Sequence, residues 1–462
     1  MSWKLFGLLL IPLVAACSPF AASVQSDQRV EPPHQYSAIG QETTPDRWWQ
    51  SFAAADLDRL IEEALSDNLS LRQAWARLQQ AQSLSRGNRA DKRPDLTLNA
   101  GHDNSWQRTN GSSNDSESYS LGLSSSFELD LWGRVAAEVE SQQKEELATR
   151  EDLHAAAISL TAEVTDRWLT LLTRIQQQRL LAEQVQTAQK YLGLIDLRFR
   201  KAQATALDLL QQQESIAALQ ARLPALQQQE QVLRHELALL LGNNPQQTLG
   251  LTAFELPQLQ PLPALGLPAD LLQQRPDIRA AKLRLQAADL DLTAAKADRL
   301  PALKLTAAAT TSGEFSDLFD NWLLNLAQNL TAPLLDGGRR SAEVERQQAV
   351  IKEQLAGYQQ TVLTAIREVE DALISEQKLE EELQALQQQL EIAEKALSAA
   401  QNRYVKGQST YLPVLTELQN VEQLQQDLLT QQLDLLTNRV GLHRALGGTW
   451  PNRLTRQHEV PL

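Results

Sequence analysis

Tyr119, Leu121, Leu123, Phe127, Leu129 and Leu131 are apolar, and Ser120, Gly122, Ser124, Ser126, Glu128 and Asp130 stand between them. The alternation breaks only at Ser125. A period of two is a β-strand with one apolar and one wetted face. Trp132 and Gly133 follow, and from Arg134 the residues read as a helix of many turns. Few folds accept a strand with carboxylates on its wetted face that runs straight into a long helix. The chain contains the arrangement twice. Trp322, Leu324, Leu326, Leu330 and Leu334 alternate, with a break at Gln328, up to Asp336-Gly337-Gly338, and Arg339 opens a second long helix.

The recurrence extends over nearly the whole mature chain. Leu78, Gln79 and Ala81 match Leu285, Gln286 and Ala288, and Ala90, Asp91 and Pro94 match Ala297, Asp298 and Pro301, all 207 residues on. Past the strands the spacing becomes 205: Ala137-Glu138-Val139-Glu140 matches Ala342-Glu343-Val344-Glu345, and Lys201 and Thr205 match Lys406 and Thr410. Self-similarity at a fixed period is an internal duplication, and a two-residue slip between strands is what a tolerant loop absorbs. Each half reads helix, strand, strand, long helix, turn, helix.

In chain order, residues 1–16 read as a signal peptide, with an apolar run from Leu5 to Val14 too short to span a bilayer. Residues 17–55 are a polar lead, ending where Trp48, Trp49 and Phe52 dock. Residues 56–241 form the first repeat, with strands near 95–106 and 119–131. Its opening is expected to be one helix from Asp56 to Lys92, and residues 107–118, rich in Ser and Asn, a long polar loop. The helix from Arg134 to about Arg200 would extend on the order of 100 Å. Its stripe Leu153, Ala157, Leu160, Val164, Trp168, Leu171, Ile175 steps as a coiled-coil seam does. A returning helix with a bend at Pro224 follows. Residues 242–268 are a Pro-rich linker. The second repeat spans 269–446, with strands near 302–311 and 321–335, and 447–462 is a tail.

Four strands of this length suit a membrane. An open sheet edge in lipid costs several kcal/mol per unpaired backbone group, and four strands cannot close a barrel. The barrel must therefore be shared. Two copies give eight strands around a filled interior; three give twelve around a wet lumen. Glu128 and Asp130 on the inner face favour three. Trp106, Trp132 and Trp322 lie at strand ends, where aromatic girdles belong. The expected class is a mixed membrane β-barrel plus a long α-helical barrel, built from a duplicated unit, with four strands per protomer in a shared 12-stranded trimeric barrel.

Composition narrows the function. A net charge of −14 lacks the basic footprint of nucleic-acid binding. The six histidines are scattered, so no metal site is expected, and no nucleophile motif or phosphate loop is present. The chain reads as a non-enzyme without cofactor or catalytic residues. The competing reading is a lipid-anchored periplasmic coiled-coil scaffold without a pore, which leaves the alternation at 119–131 unexplained.

Leu13-Val14-Ala15-Ala16-Cys17 resembles a bacterial lipobox, which implies acylation of Cys17, the one cysteine, and with Ser18 after it sorting to the outer membrane. The other reading is an ordinary signal peptide. Leu271-Leu272-Gln273-Gln274-Arg275-Pro276-Asp277-Ile278, Arg403-Tyr404-Val405-Lys406-Gly407 with Tyr411, Val414 and Leu415, Trp48-Trp49 and Leu241-Gly242-Asn243-Asn244-Pro245 carry a second resemblance. The chain is similar to the outer membrane factors of tripartite efflux and type I secretion systems, in their lipoprotein, NodT/OprM-like branch. That resemblance implies a passive homotrimeric duct for small molecules such as drugs. It would be served by a periplasmic membrane-fusion adaptor and an inner-membrane pump. The turns at 201–208 and 406–416 would form its closable periplasmic mouth. Tyr404, whose hydroxyl can reach a neighbouring hairpin, is the leading gate residue, with Asp208, Glu417 and Arg403. Relatives carry acidic residues after the turn, where this chain has Pro413 and Thr416.

Overall fold

The computed structural model describes residues 33–454 apart from 39, 41–44, 110 and 253. Among the described residues are eight α-helices and four strands: α1 (Ala55–Asp67), α2 (Leu69–Ala90), β1 (Thr97–Thr109), β2 (Ser112–Leu129), α3 (Arg134–Arg200), α4 (Ala206–Leu240), α5 (Leu271–Gln274), α6 (Pro276–Ala297), β3 (Ala302–Gly313), β4 (Trp322–Thr331), α7 (Arg339–Val405) and α8 (Leu412–Leu446). The duplication is visible in the lengths. α2 and α6 have 22 residues each, α3 and α7 have 67, and α4 and α8 have 35. No described helix is long and apolar enough to cross a membrane.

Two units divide these elements. The first holds residues 76–151 and 277–361. Its sheet is antiparallel in the order β1-β2-β3-β4, so β1 and β4 are its two edges. Register aligns the alternation of all four strands. Leu98 faces Leu123, Leu123 faces Ala309 and Ala309 faces Leu324; Leu129 faces Leu303 and Leu303 faces Leu330. One face is thus apolar from edge to edge, because residues two apart along a strand share a face. The other carries Thr97, Ser124, Ala308 and Asn325 in one row. The apolar face is open: Leu326 and Trp322 are both 73% exposed and Trp106 is 74%.

The first hairpin differs from its sequence reading. The long polar loop over 107–118 is absent; β1 and β2 pair out to Thr109 and Ser112, and Gly111 turns with φ +89. Polar cross-strand partners hold this extension, with Ser105 Oγ 2.7 Å from Ser116 Oγ and His102 Nε2 3.0 Å from Glu117 Oε1. Such pairs stabilise a ladder as apolar ones do, but they leave no hydrophobic alternation to read. The last strand also ends earlier than expected, at Thr331, two residues before Pro333, which has no N–H for a ladder.

The second unit holds residues 33–75, 152–276 and 362–454. Its core takes in the expected seam: Leu153, Ala157, Val164, Trp168 and Leu171 are buried, as are Val362, Ala365, Val369 and Leu373 of the second repeat. The expected single helix over 56–92 breaks at Asn68. Asn68 leaves the helical region, accepts from Leu71 N at 2.9 Å to cap α2, and donates to Leu240 O at 2.8 Å. α4 runs unbroken through Pro224.

The Pro-rich segment is tied down. Arg439 Nη1 donates to Gln260 O at 2.8 Å and Pro261 O at 3.0 Å, while its other guanidinium nitrogens pair with the buried Glu376. Arg59 Nη2 reaches Leu249 O at 2.9 Å, and Asp56 Oδ2 accepts from Thr252 N at 2.7 Å. Nearby, Trp48 stacks on His443 with centroids 5.1 Å apart, and Trp49 meets Trp450 edge-on at 5.0 Å. Burial holds the His443 imidazole down at about 3, hence neutral. Arg275 of the L-x-x-R-P-D-I run bonds Glu368 Oε2 at 2.8 Å and Ala445 O at 3.0 Å, which joins α5 to α7 and the end of α8.

Candidate functional site

Each long helix turns back through a short connection, and the two turns share one construction. Gln203 N donates to Arg198 O at 2.8 Å and Ala202 N to Phe199 O at 2.9 Å. In the second repeat Gln408 N donates to Arg403 O at 2.8 Å and Gly407 N to Tyr404 O at 2.9 Å. This is the Schellman closure, with a left-handed residue past the helix end. The returning helices start differently. Thr205 and Asp208 form a capping box on α4, with Asp208 N donating to Thr205 Oγ1 at 3.2 Å and Thr205 N to Asp208 Oδ2 at 2.9 Å. α8 begins after Tyr411 with Pro413 in its first turn.

Between the turns lies a buried cluster of Ile195, Tyr404, Tyr411, Val414 and Leu415. The Arg198 guanidinium sits 4.5 Å from the Tyr404 ring centroid, a cation–π contact between the two hairpins, and Arg198 Nη1 donates to Val405 O at 3.3 Å. Tyr411 is fully buried, its ring 5.4 Å from that of Tyr404. Its hydroxyl donates to Gln212 Oε1 at 2.5 Å, and Gln212 Nε2 donates to Ala188 O at 2.8 Å. Gln401 Nε2 donates to the Tyr191 hydroxyl. Burial raises the Tyr411 pKa, so the phenol stays a donor. Three turns further along α8, Gln184 Nε2 donates to Glu422 O and Gln425 Oε1, both at 3.1 Å. The Glu422 carboxyl is buried, its Oε1 finds no partner among the described residues, and burial pushes it up to about 7.

This region locks one hairpin against the other and supplies no acid–base pair aimed at a substrate. Tyr404 is buried in the seam, and its hydroxyl finds no acceptor among the described residues. Within the chain the bond anticipated for Tyr404 is made by Tyr411. Asp208 is engaged as a helix cap, Glu417 is half-buried and Arg403 is exposed. Sequence reasoning gave no role to Arg198, Gln212 or Tyr411. The 205-residue spacing could have found the first two, since it sets Arg198 on Arg403 and Gln212 on Glu417.

The two carboxylates expected on the inner strand face act at the strand–helix junction. Glu128 Oε1 accepts from Arg134 Nη2 at 2.8 Å and Nε at 3.1 Å. Asp130 lies beyond the end of β2 and caps α3, accepting from Ala136 N at 2.7 Å and Val135 N at 3.3 Å. Asp336 does the same for α7 through Gly338 N at 3.0 Å and Arg340 N at 3.2 Å. Trp132 is half-buried, with Nε1 donating to Pro301 O at 2.7 Å. Cys17 lies outside the described residues. No cluster of potential metal ligands occurs among the described residues.

A sheet apolar on one face and edged by unpaired strands, joined to long paired helices, defines a class: outer membrane channels of efflux systems. The family description "Outer membrane efflux protein" matches residues 60–243 and 267–448, one segment for each repeat. The chain belongs to this family, and it is an outer membrane component of an efflux system. It is 33% identical over 451 residues to the pyoverdine export outer membrane protein OpmQ of Pseudomonas aeruginosa, covering 95% of each chain. With the outer membrane protein OprJ of the same organism it shares 35% identity over 349 residues, 73% of this chain and 72% of that one. Among solved structures, the outer-membrane channel OprN superposes with a TM-score of 0.86 at 28% identity, over 94% of this chain and 100% of that one.

Proposed function

We propose that three copies of this chain close a twelve-stranded barrel in the outer membrane and act as the passive exit duct of a tripartite efflux system. The observation that carries this reading is the sheet. Its apolar face is exposed from edge to edge, and both edges lack a partner strand among the described residues. In lipid such a sheet must close with other copies. A periplasmic scaffold would leave the same face in water, which disfavours that alternative. Cys17 carries the lipid anchor. An inner-membrane pump supplies the energy and selects the cargo, and a periplasmic adaptor joins pump and duct. The relatives' names cover pyoverdine export, toluene efflux and cation efflux, so the cargo here is assigned only as small molecules. The hairpin turns around Tyr404, Arg198 and Asp208 form the mouth, with Arg403 and Glu417 beside them. Purified protein in planar bilayers should give discrete single-channel steps, and cross-linking in native membranes should stop at three chains. A ladder ending at two chains, or a silent bilayer, would overturn the duct. Palmitate label should enter the natural protein and not Cys17→Ser; equal labelling would remove the anchor.

A further inference from the structure

Beyond the part of the sheet that four strands share, the first hairpin runs on alone. β2 pairs with β3 over eleven positions, from Leu129 and Leu303 to Tyr119 and Gly313. That is the length of a strand that crosses a bilayer. Past Tyr119, β1 and β2 continue as a two-stranded ribbon for seven more pairs, from Asp103–Ser118 to Thr109–Ser112. The long helices leave the sheet from its opposite end, so the ribbon stands on the outer side of the membrane. A ribbon of two strands without further support is marginal in water.

The apolar face carries up onto the ribbon without a break in register. Partners across the ladder, and residues two apart along it, share a face. The face of Leu98 and Leu123 therefore continues through His102 and Tyr119 to Asn104, Trp106 and Asp115. An aromatic band marks where the hydrocarbon ends. Trp322 lies in the row of Leu121. Tyr119 meets Phe315 edge-on at 5.4 Å and stacks on His102 at 4.5 Å. Such a band is the girdle of a membrane interface. Trp106, opposite Asp115, lies four positions past Tyr119, about 13 Å farther along the strand. It is 74% exposed, and Asn104, Arg108, Asp115 and Glu117 around it are exposed too. The opposite face of the ribbon carries Asp103, Ser105, Gln107, Ser116 and Ser118 in place of a ring.

We propose that this outward face of the ribbon docks on the saccharide core of the glycolipid that forms the outer leaflet. The proposal rests on the shared barrel proposed above, which turns the face toward lipid, and adds a ligand to it. In an outer membrane the sugars lie directly above the acyl chains. A surface continuous with the lipid-facing side meets them at the height of Trp106. The chemistry fits as well. An indole presents a broad apolar ring to the C–H face of a pyranose. The Asp115 and Glu117 carboxylates accept from sugar hydroxyls, and the Asn104 amide and Arg108 guanidinium donate to their oxygens. Glu117 is already oriented, accepting from the Tyr119 hydroxyl at 2.7 Å with His102 Nε2 3.0 Å away. The docked sugar supports the ribbon where β3 no longer does.

The test places cysteines on the two faces of the ribbon in intact cells and probes them with a membrane-impermeant maleimide. In cells with a complete saccharide core, Ser105→Cys should label and Asn104→Cys should be protected. In cells with a truncated core, both should label alike. Adding Trp106→Ala should expose Asn104→Cys under the complete core, while unchanged labelling of Ser105→Cys in that background shows that the ribbon still forms. Purified full-length protein in detergent should bind free core oligosaccharide. Trp106→Ala should bind it about tenfold more weakly, the size of one lost ring contact. Protection that persists in Trp106→Ala would mean shading by the sugar layer and overturn the docking, as would equal labelling of Asn104→Cys in both kinds of cell. Equal binding of lipid A alone would assign the face to headgroup phosphate and overturn the sugar. If neither cysteine labels until the cells are opened, the ribbon is not outside and the barrel reading itself fails.

Discussion

Ala202 stands in the first hairpin turn where Gly407 stands in the second, and both hold a left-handed backbone, with φ of +55° and +71°. An L-residue there meets its own carbonyl and costs roughly 1–2 kcal/mol, a penalty glycine escapes. Ala202→Gly should therefore stabilise the protein by about 1 kcal/mol. Gly407→Ala should cost a similar amount, although no atom crowds the added methyl. Thermal unfolding in detergent measures both. Equal and opposite shifts support the account, and a destabilising Ala202→Gly would refute it.

Tyr411 bonds the other hairpin through Gln212, so Tyr411→Phe should leave the buried Gln212 Oε1 without its donor. A stranded buried acceptor costs about 1–3 kcal/mol. The variant should lose that much stability. If these turns form the mouth, its channel should also open more often in planar bilayers. Lost stability with unchanged conductance would confine Tyr411 to packing.

Much of the fold could be read from period alone. Alternation at 119–129 and the two repeat spacings located the strands, the long helices and their matched lengths, because burial on one face imposes periodicity. The hairpin extension escaped because Ser105, Ser116, His102 and Glu117 pair by polar contacts, which leave no such trace. Asn68 looked like a helix residue because its cap partner Leu240 is far away in sequence. The seam at the turns was half legible. Tyr404 was found through its motif, but Arg198 contacts it across the repeat boundary, a relation that no local pattern encodes. Asp130 was read as a lumen carboxylate from the strand alternation, and Asp208 either as a gate carboxylate or as a helix N-terminal aspartate; Asp130 accepts from the first N–H groups of α3, and Asp208 caps α4 through Thr205 N.

Arg439 and Glu376 are almost fully buried, at 4% and 2% exposure, and Arg439 also clasps the backbone at Gln260 and Pro261. Arg439→Met strands a buried carboxylate, which costs about 3–5 kcal/mol. It should also free the 245–268 segment for proteolysis. Adding Glu376→Gln removes the stranded charge and should recover part of the stability while the segment stays cleavable. Limited proteolysis with thermal unfolding separates the two effects. Recovery of protection in the double variant would show that Arg439 does not hold the segment.

Glu422 gives the molecule a pH dependence. Its folded carboxyl, pushed by burial from 4.5 to about 7, keeps its proton at pH values where the unfolded chain has lost it. A raised carboxylate contributes stability that is complete below about 4.5 and lost as the pH climbs through about 7. Each pKa unit corresponds to about 1.4 kcal/mol, so the full loss is at most about 3.5 kcal/mol, and solvent screening reduces it. Glu422→Gln keeps the shape and cannot ionise. It should match the natural protein near pH 4.5 and exceed it in stability by that margin at pH 8. Asp166, raised by burial to about 6, acts in the same direction in both proteins and cancels in the difference. Unfolding midpoints measured from pH 4.5 to 8 should therefore diverge. Parallel curves would show that Glu422 is solvated or paired in the assembled protein.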